Sequence, residues 1–441
     1  VTAPGRRHRL VTALVSLLSA PFAAAQEGDA SCTAPVVETT AGDVCGIRLE
    51  VDGAVVNAYL GIPYGEDTGG SNRFMPPLPR RPWQGVMAAT APGPACPQTL
   101  TSQTEAPADQ SEDCLFLNVW AAAEAAGDAP VLVFVHGGGF LVGTATDTLA
   151  SPEADWYNID GRFLAAEQGL VVVSMDYRLG AFGFLSGVAG LEGNQGPKDQ
   201  QLALEWVRDN AAAFGGDPGN VTLMGESAGG TSVSAHVYAV PSSEGLFHRA
   251  IIESNPLGLG DFVSQGMNPY LGDAMTTILF GKPAGEVMRE HYLRGADDLA
   301  AAVLDASGDY VFMCPAELAA MNAPVGYHYR FSHPPQYVGG LTGGEACSDK
   351  TCHAVELPYV FGTGRFPGGF SAADGRVSST LMELWAAFAR GEGDDGSGFA
   401  SWPPAVGDGG YLPTLVVSDP VAVAAFDVAR CARWAEVYDL Q

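Results

Sequence analysis

The chain has 441 residues, 47% of them hydrophobic and only 16% charged, which excludes a disordered protein and provides for a large core. Fifty acidic residues against 22 basic ones give a net charge of −28, a balance that repels phosphate backbones and argues against nucleic acid as a partner. Lys198, Lys282 and Lys350 are the only lysines, so no polybasic stripe is present to grip anionic lipid.

Residues 1–25 read as a secretory signal peptide. Arg6, Arg7 and Arg9 form a basic head, Leu10 to Phe22 is an apolar run too short to span a bilayer comfortably, and Ala23-Ala24-Ala25 offers small residues for cleavage. No later apolar run has the length of a membrane span. The expected mature protein, 26–441, is one secreted or periplasmic domain without an integral membrane segment. In an oxidising compartment the eight cysteines, Cys32, Cys45, Cys96, Cys114, Cys314, Cys347, Cys352 and Cys431, pair rather than bind metal, and no CxxC spacing is present.

Ile47 to Tyr59 alternates around Asp52-Gly53, a hairpin signal, and a Pro- and Gly-rich stretch from Gly61 to Gln98 predicts loops. Val131–Val135, Leu170–Ser174, Val221–Met224 and Ala250–Ile252 read as strands buried on both faces. Lys198–Phe214 carries helical periodicity through Leu202, Trp206 and Val207. This alternation predicts an α/β fold with a mostly parallel central sheet and helices on both faces. Gly326–Phe331 predicts a further strand and Gly391–Gly398 a flexible acidic loop. No internal repeat or domain border is visible.

Gly225-Glu226-Ser227-Ala228-Gly229 is a G-x-S-x-G sequence between the Val221–Met224 strand and a small-residue stretch, Gly230–Tyr238, suited to a helix start. A serine on such a turn stands out from the carboxyl edge of the sheet, facing backbone N–H groups and the positive helix end. Upstream, His136-Gly137-Gly138-Gly139-Phe140 follows a buried strand. On its own this is a tight turn. Paired with a serine elbow it is an oxyanion hole, with Gly138, Gly139 and Ala228 as N–H donors and His136 in a structural role.

Longer stretches extend the pattern: YLGIPYG at Tyr59–Gly65, SEDCLFLNVW at Ser111–Trp120, DYRLGAFGFL at Asp176–Leu185, GNQGPKDQQLALEWVRDN at Gly193–Asn210, FGGDPGNVTLMGESAGG at Phe214–Gly230 and CHAVELPYVFG at Cys352–Gly362. In this order they make the chain resemble the type-B carboxylesterase/cholinesterase family of the α/β-hydrolase fold, from about residue 34 to residue 434. The resemblance implies a serine esterase acting on small-molecule carboxylic esters without a cofactor. Ser227 is then the nucleophile and His353 its general base. The chemistry agrees, because a serine hydroxyl needs an imidazole to take its proton. His236 and His248 read as packed or surface residues, and His291, His328 and His333 match no motif. No metal-ligand or nucleotide motif competes.

The resemblance also implies disulfides Cys96–Cys114 and Cys314–Cys431, which leaves Cys32–Cys45 and Cys347–Cys352 as local staples. It breaks at the third triad member, an acid in a G-x-N-x-(D/E)-E-G-like segment that the text between Ser227 and His353 lacks. The simplest reading is an internal deletion around Leu259–Asn268, with Asp261 the nearest carboxylate and a candidate orienter of His353. Glu226, beside the nucleophile, corresponds to a buried family residue outside the triad. The alternative function is an impaired or non-catalytic cholinesterase-like binding protein. Such members lose the serine, whereas this chain keeps serine, histidine and glycine loop together.

Overall fold

The computed structural model describes residues 32–98, 107, 109–125, 127–146, 158–186, 191, 193–256, 287, 289–294, 299–335, 351–365, 369–396, 402–405 and 411–435. The chain divides into Val1–Ser31 and a compact unit from Cys32 to Gln441. The first unit, and with it the expected signal peptide, lies outside the described residues.

Among the described residues, seven strands build the central sheet: β1 (Ile47–Val51), β2 (Ala54–Pro63), β3 (Phe116–Ala122), β4 (Ala129–Val135), β5 (Val171–Met175), β6 (Gly216–Glu226) and β7 (Arg249–Glu253). Their spatial order is β7-β6-β4-β5-β3-β2-β1. The β7–β6, β6–β4 and β4–β5 pairings are parallel, whereas β5–β3, β3–β2 and β2–β1 are antiparallel. The α/β-hydrolase fold is therefore present, but the sheet is mixed rather than mostly parallel. The difference comes from the N-terminal half. Two-residue turns join strands only antiparallel, and Asp52 and Gly53, both with positive φ, form such a turn between β1 and β2. The sequence reading also missed β3 as a strand.

Side chains along β4 alternate between two cores. Val131, Val133 and Val135 pack with Leu202, Leu204, Trp206 and Val207 of helix α2 (Gln195–Asn210) and Val233 of helix α3 (Ala228–Tyr238). On the other face, Leu132 and Phe134 pack with Phe163 and Leu164 of helix α1 (Arg162–Gln168), Tyr359 and Phe361 of helix α4 (Leu357–Phe361), and Leu381 and Trp385 of helix α5 (Ala372–Ala389). Helices thus cover both faces, as the alternation predicted. The α2 pattern runs on after Asn210 as a short 3-10 turn, Ala211–Phe214. Helix α5 starts on a reciprocal cap between Ser371 and Asp374, which satisfies two first-turn amides.

The predicted strand at Gly326–Phe331 is observed over His328–Phe331, paired with Tyr411–Val417. The acidic loop after Gly391 is anchored in its described part. Arg249 Nε donates to both carboxylate oxygens of Asp394 (2.9 and 3.0 Å), and Tyr327 Oη donates to Gly393 O (2.8 Å). Disulfides Cys32–Cys45, Cys96–Cys114 and Cys314–Cys431 are formed, with Cα–Cα distances of 5.7, 4.9 and 5.2 Å. Cys352 is also disulfide-bonded, while Cys347, its expected partner, lies outside the described residues. Among the described residues no helix is long and apolar enough to cross a membrane.

Candidate active site

Three neighbouring parallel strands end side by side. β4 runs into His136, β6 into Ser227 and β7 into Ser254, with Val135 opposite Gly225 and Glu226 opposite Glu253. Loops from the carboxyl ends of such strands are where α/β sheets build ligand sites. Ser227 follows β6 directly and caps α3 with φ 56° and ψ −120°, a conformation seldom adopted by a residue with a Cβ. Its N–H donates to Glu253 O (3.0 Å) and its carbonyl accepts from Thr231 N–H (2.9 Å), so both neighbouring elements hold the bend. Gly229 has to be glycine, because a Cβ there would lie 2.0 Å from Val135 O.

His353 reaches this elbow from the segment before α4. Its Nε2 lies 2.8 Å from Ser227 Oγ, the distance of a hydroxyl donating to a neutral imidazole nitrogen. The Phe312 ring packs beside the imidazole, 5.1 Å between centroids. Partial desolvation lowers the His353 pKa below the ordinary 6.5 although 42% of the side chain is exposed, a direction that favours the neutral ring a general base requires. Of the other described imidazoles, His291 is exposed and the rest are engaged elsewhere. His236 contacts Ser243 Oγ and Gln200 Oε1, His248 Nδ1 accepts from Val221 N–H, His328 contacts Thr414 Oγ1 and His333 contacts Asp374.

The glycine loop lies against the nucleophile. The direction in which a Gly137 Cβ would point is 3.0 Å from Ser227 Cβ, and Gly138 and Gly139 follow with φ of 100° and 63°. Leu141 N–H and Val142 N–H both donate to Gly138 O (3.1 Å each), which closes the loop. The Gly138, Gly139 and Ala228 amides donate to no other described residue; Ala228 opens α3, where first-turn N–H groups have no helical acceptor. His136 takes a structural role. It is buried, its ring stacks on Tyr177 at 4.4 Å, its carbonyl accepts from Tyr177 Oη, and burial lowers its pKa to about 4.

Asp261, the candidate orienter, lies outside the described residues. A carboxylate the sequence reading kept out of the triad is nevertheless next to the imidazole. Glu226 Oε1 is 3.3 Å from His353 Nε2, the nitrogen that faces Ser227. Two further carboxyls lie behind it. Glu253 accepts from Trp385 Nε1 (2.8 Å) and Glu356 from Ser254 Oγ (2.7 Å). Burial, reinforced by Glu356, pushes Glu253 well above the usual carboxyl range, and burial also raises Glu356. Position in the motif was the only signal for Glu226, and nothing local in the sequence marked Glu253.

A serine on a strand–helix elbow, met by an imidazole and flanked by a glycine loop, places the chain among α/β-hydrolase folds. The chain belongs to the carboxylesterase family, whose model matches residues 33–268 and 273–418, and is a carboxylic ester hydrolase. It is 29% identical to an acylcarnitine hydrolase of Mus musculus over 91% of this chain and 90% of that protein, and 30% identical to a cocaine esterase of Oryctolagus cuniculus over 91% and 95%. An acetylcholinesterase of Bungarus fasciatus is 44% identical over a shorter stretch, 49% of this chain and 36% of that protein.

Proposed function

We propose that the protein is an exported serine esterase that hydrolyses carboxylic esters through an acyl-enzyme on Ser227. The observation that carries this reading is the 2.8 Å contact between Ser227 Oγ and His353 Nε2. As Oγ attacks the ester carbonyl carbon, His353 Nε2 takes the hydroxyl proton and negative charge moves to the carbonyl oxygen. The N–H groups of Gly138, Gly139 and Ala228 receive that oxyanion, and one such donor is worth about 2.7–4 kcal/mol in the transition state. The imidazolium then passes its proton to the departing alcohol oxygen. In the second half, His353 takes a proton from water, hydroxide adds to the acyl carbon, and Ser227 leaves with the proton returned.

Glu226 supplies the counter-charge. While His353 is neutral, Nε2 accepts from the serine; once the ring is protonated, its positive charge lies beside Oε1 while Nε2–H serves the leaving oxygen. A carboxylate on this side stabilises the imidazolium without holding the far ring nitrogen, the task the family assigns to the acid between serine and histidine. Export is supported by the three described disulfides, which persist in oxidising compartments.

The test is hydrolysis of p-nitrophenyl acetate and butyrate by purified protein. The expected result is a burst of p-nitrophenol followed by slower turnover, lost in Ser227→Ala. No release above buffer would refute the reading and favour a binding protein.

A further inference from the structure

One side chain outside the reacting groups grips the glycine loop at both of its available backbone atoms. Gln98 Oε1 accepts from Gly143 N–H (2.9 Å) and Gln98 Nε2 donates to Gly143 O (3.0 Å), so the amide pairs with that residue's backbone as a neighbouring strand would. Gln98 is fixed in turn. Its Nε2 also donates to Cys96 O (3.1 Å), and its backbone N–H donates to Gln110 Oε1 (2.8 Å). Cys96 is bonded to Cys114, and Ala95 N–H donates to Asp109 O (3.1 Å) while Ala95 O accepts from Ser111 N–H (3.0 Å).

Gly143 is where such a grip matters. It has φ 120°, and a Cβ on it would lie 2.4 Å from His136 Nδ1 and 2.8 Å from Gly137 O. The end of the loop therefore rests flat on its beginning, and the turn between them carries Gly138 and Gly139. Two other tethers hold the same loop: Tyr177 Oη on His136 O (2.8 Å) and Gly180 N–H on Phe140 O (2.7 Å). Both act on carbonyls, at the start and the crest. At the end that returns against His136, Gln98 holds Gly143 itself, and Asp176 Oδ1 accepts from Ala145 N–H two residues further on (2.9 Å).

We propose that Gln98, anchored beside the Cys96–Cys114 bond, is a positioning residue for the oxyanion hole that sets the aim of the Gly138 and Gly139 amides. The inference rests on the esterase reading and adds a residue that touches neither substrate nor triad. Donors act on a transition state only where they already point at the oxygen, and a displacement near 1 Å can cost about 100-fold. The side chain must both accept and donate. Leucine does neither, and glutamate accepts from Gly143 N–H but presents an oxygen to Gly143 O.

The experiment compares wild type, Gln98→Leu and Gln98→Glu in p-nitrophenyl butyrate turnover, affinity for a trifluoromethyl ketone, and hydrogen–deuterium exchange of the 136–143 peptide. Both variants are expected to lower kcat roughly 10- to 100-fold with KM within about threefold. They should weaken the ketone, whose tetrahedral adduct places an oxyanion in the hole, by a similar factor. The acid limb of the rate profile should stay in place, because His353 is untouched. Exchange should accelerate in 136–143 and not in β4 or β6. Unchanged kcat together with unchanged exchange in Gln98→Leu would overturn the proposal, as would a loss of kcat matched by a loss of folded protein. An inactive wild type would defeat the esterase reading, and the exchange comparison would still decide whether Gln98 holds the loop.

Discussion

Replacing Glu226 with glutamine keeps the shape of the side chain and removes its charge from a point 3.3 Å from His353 Nε2. Two opposite unit charges at that separation attract by about 5 kcal/mol at an effective dielectric near 20. The Glu226 side chain is only 3% exposed, but that of His353 is 42% exposed, and screening by water on that side reduces the figure to about 2 kcal/mol. The attraction exists only when the imidazole is protonated, which in the proposed mechanism is in the transition states of both half-reactions, so there it raises kcat and leaves KM alone. The Glu226→Gln variant should therefore lose roughly 30-fold in kcat for p-nitrophenyl butyrate. The carboxylate favours the imidazolium, so removing it lowers the His353 pKa further. The base then remains neutral to more acid pH, and the acid limb of kcat/KM moves down. Stopped-flow or plate assays between pH 4 and 8 read both effects. An unchanged plateau and an unmoved limb would refute the ion pair; a loss confined to KM would assign Glu226 to substrate binding.

Other parts of the fold carry their own expectations. Arg178 donates to Asp199 Oδ2 (2.8 Å) and Oδ1 (2.6 Å) with both side chains buried, so Arg178→Ala strands a carboxylate and should cost about 3–5 kcal/mol in urea unfolding. At Asp374 burial acts to raise the pKa, but hydrogen bonds from Ser371, Tyr359 and His333 outweigh it and hold the carboxyl below its usual range. Its contribution is complete above the unfolded value of about 3.9 and is lost as pH falls through the lower folded one, so the stability gap between wild type and Asp374→Asn should close in acid. Replacing both Cys314 and Cys431 with serine opens a link across 117 residues and should lower stability by about 2–4 kcal/mol. Thermal unfolding measures this directly, and an unshifted midpoint would count against it.

Much of the site was legible because its chemistry is local. The elbow is written in five consecutive residues, Gly225 to Gly229, and the glycine loop in His136 to Gly139; each follows a strand whose apolar run is unmistakable. The sheet was harder to read. Val131–Val135 advertises burial on both faces, but Phe116–Ala122 carries Asn118 in its middle, whose amide donates to Ser174 Oγ and whose carbonyl oxygen accepts from Gly61 N–H. A buried polar residue paired across strands hides a strand from any hydropathy pattern. Non-local contacts were legible only where the family resemblance supplied them, as for Cys314–Cys431. His353 could be chosen only through the family resemblance, and the nearness of Glu226 to its ring depends on two segments meeting across the elbow. Gln98 sits in a stretch that predicted nothing beyond loops, since a side chain pairing with a distant backbone leaves no periodic trace.

The central claim is that Ser227 is activated by His353, and covalent capture reads it most directly. A fluorophosphonate probe followed by peptide mass spectrometry should place a single adduct on Ser227 in the wild type. The rate of labelling should fall by several orders of magnitude in a folded His353→Ala variant. An adduct on another residue, or equal labelling with and without the imidazole, would contradict the account.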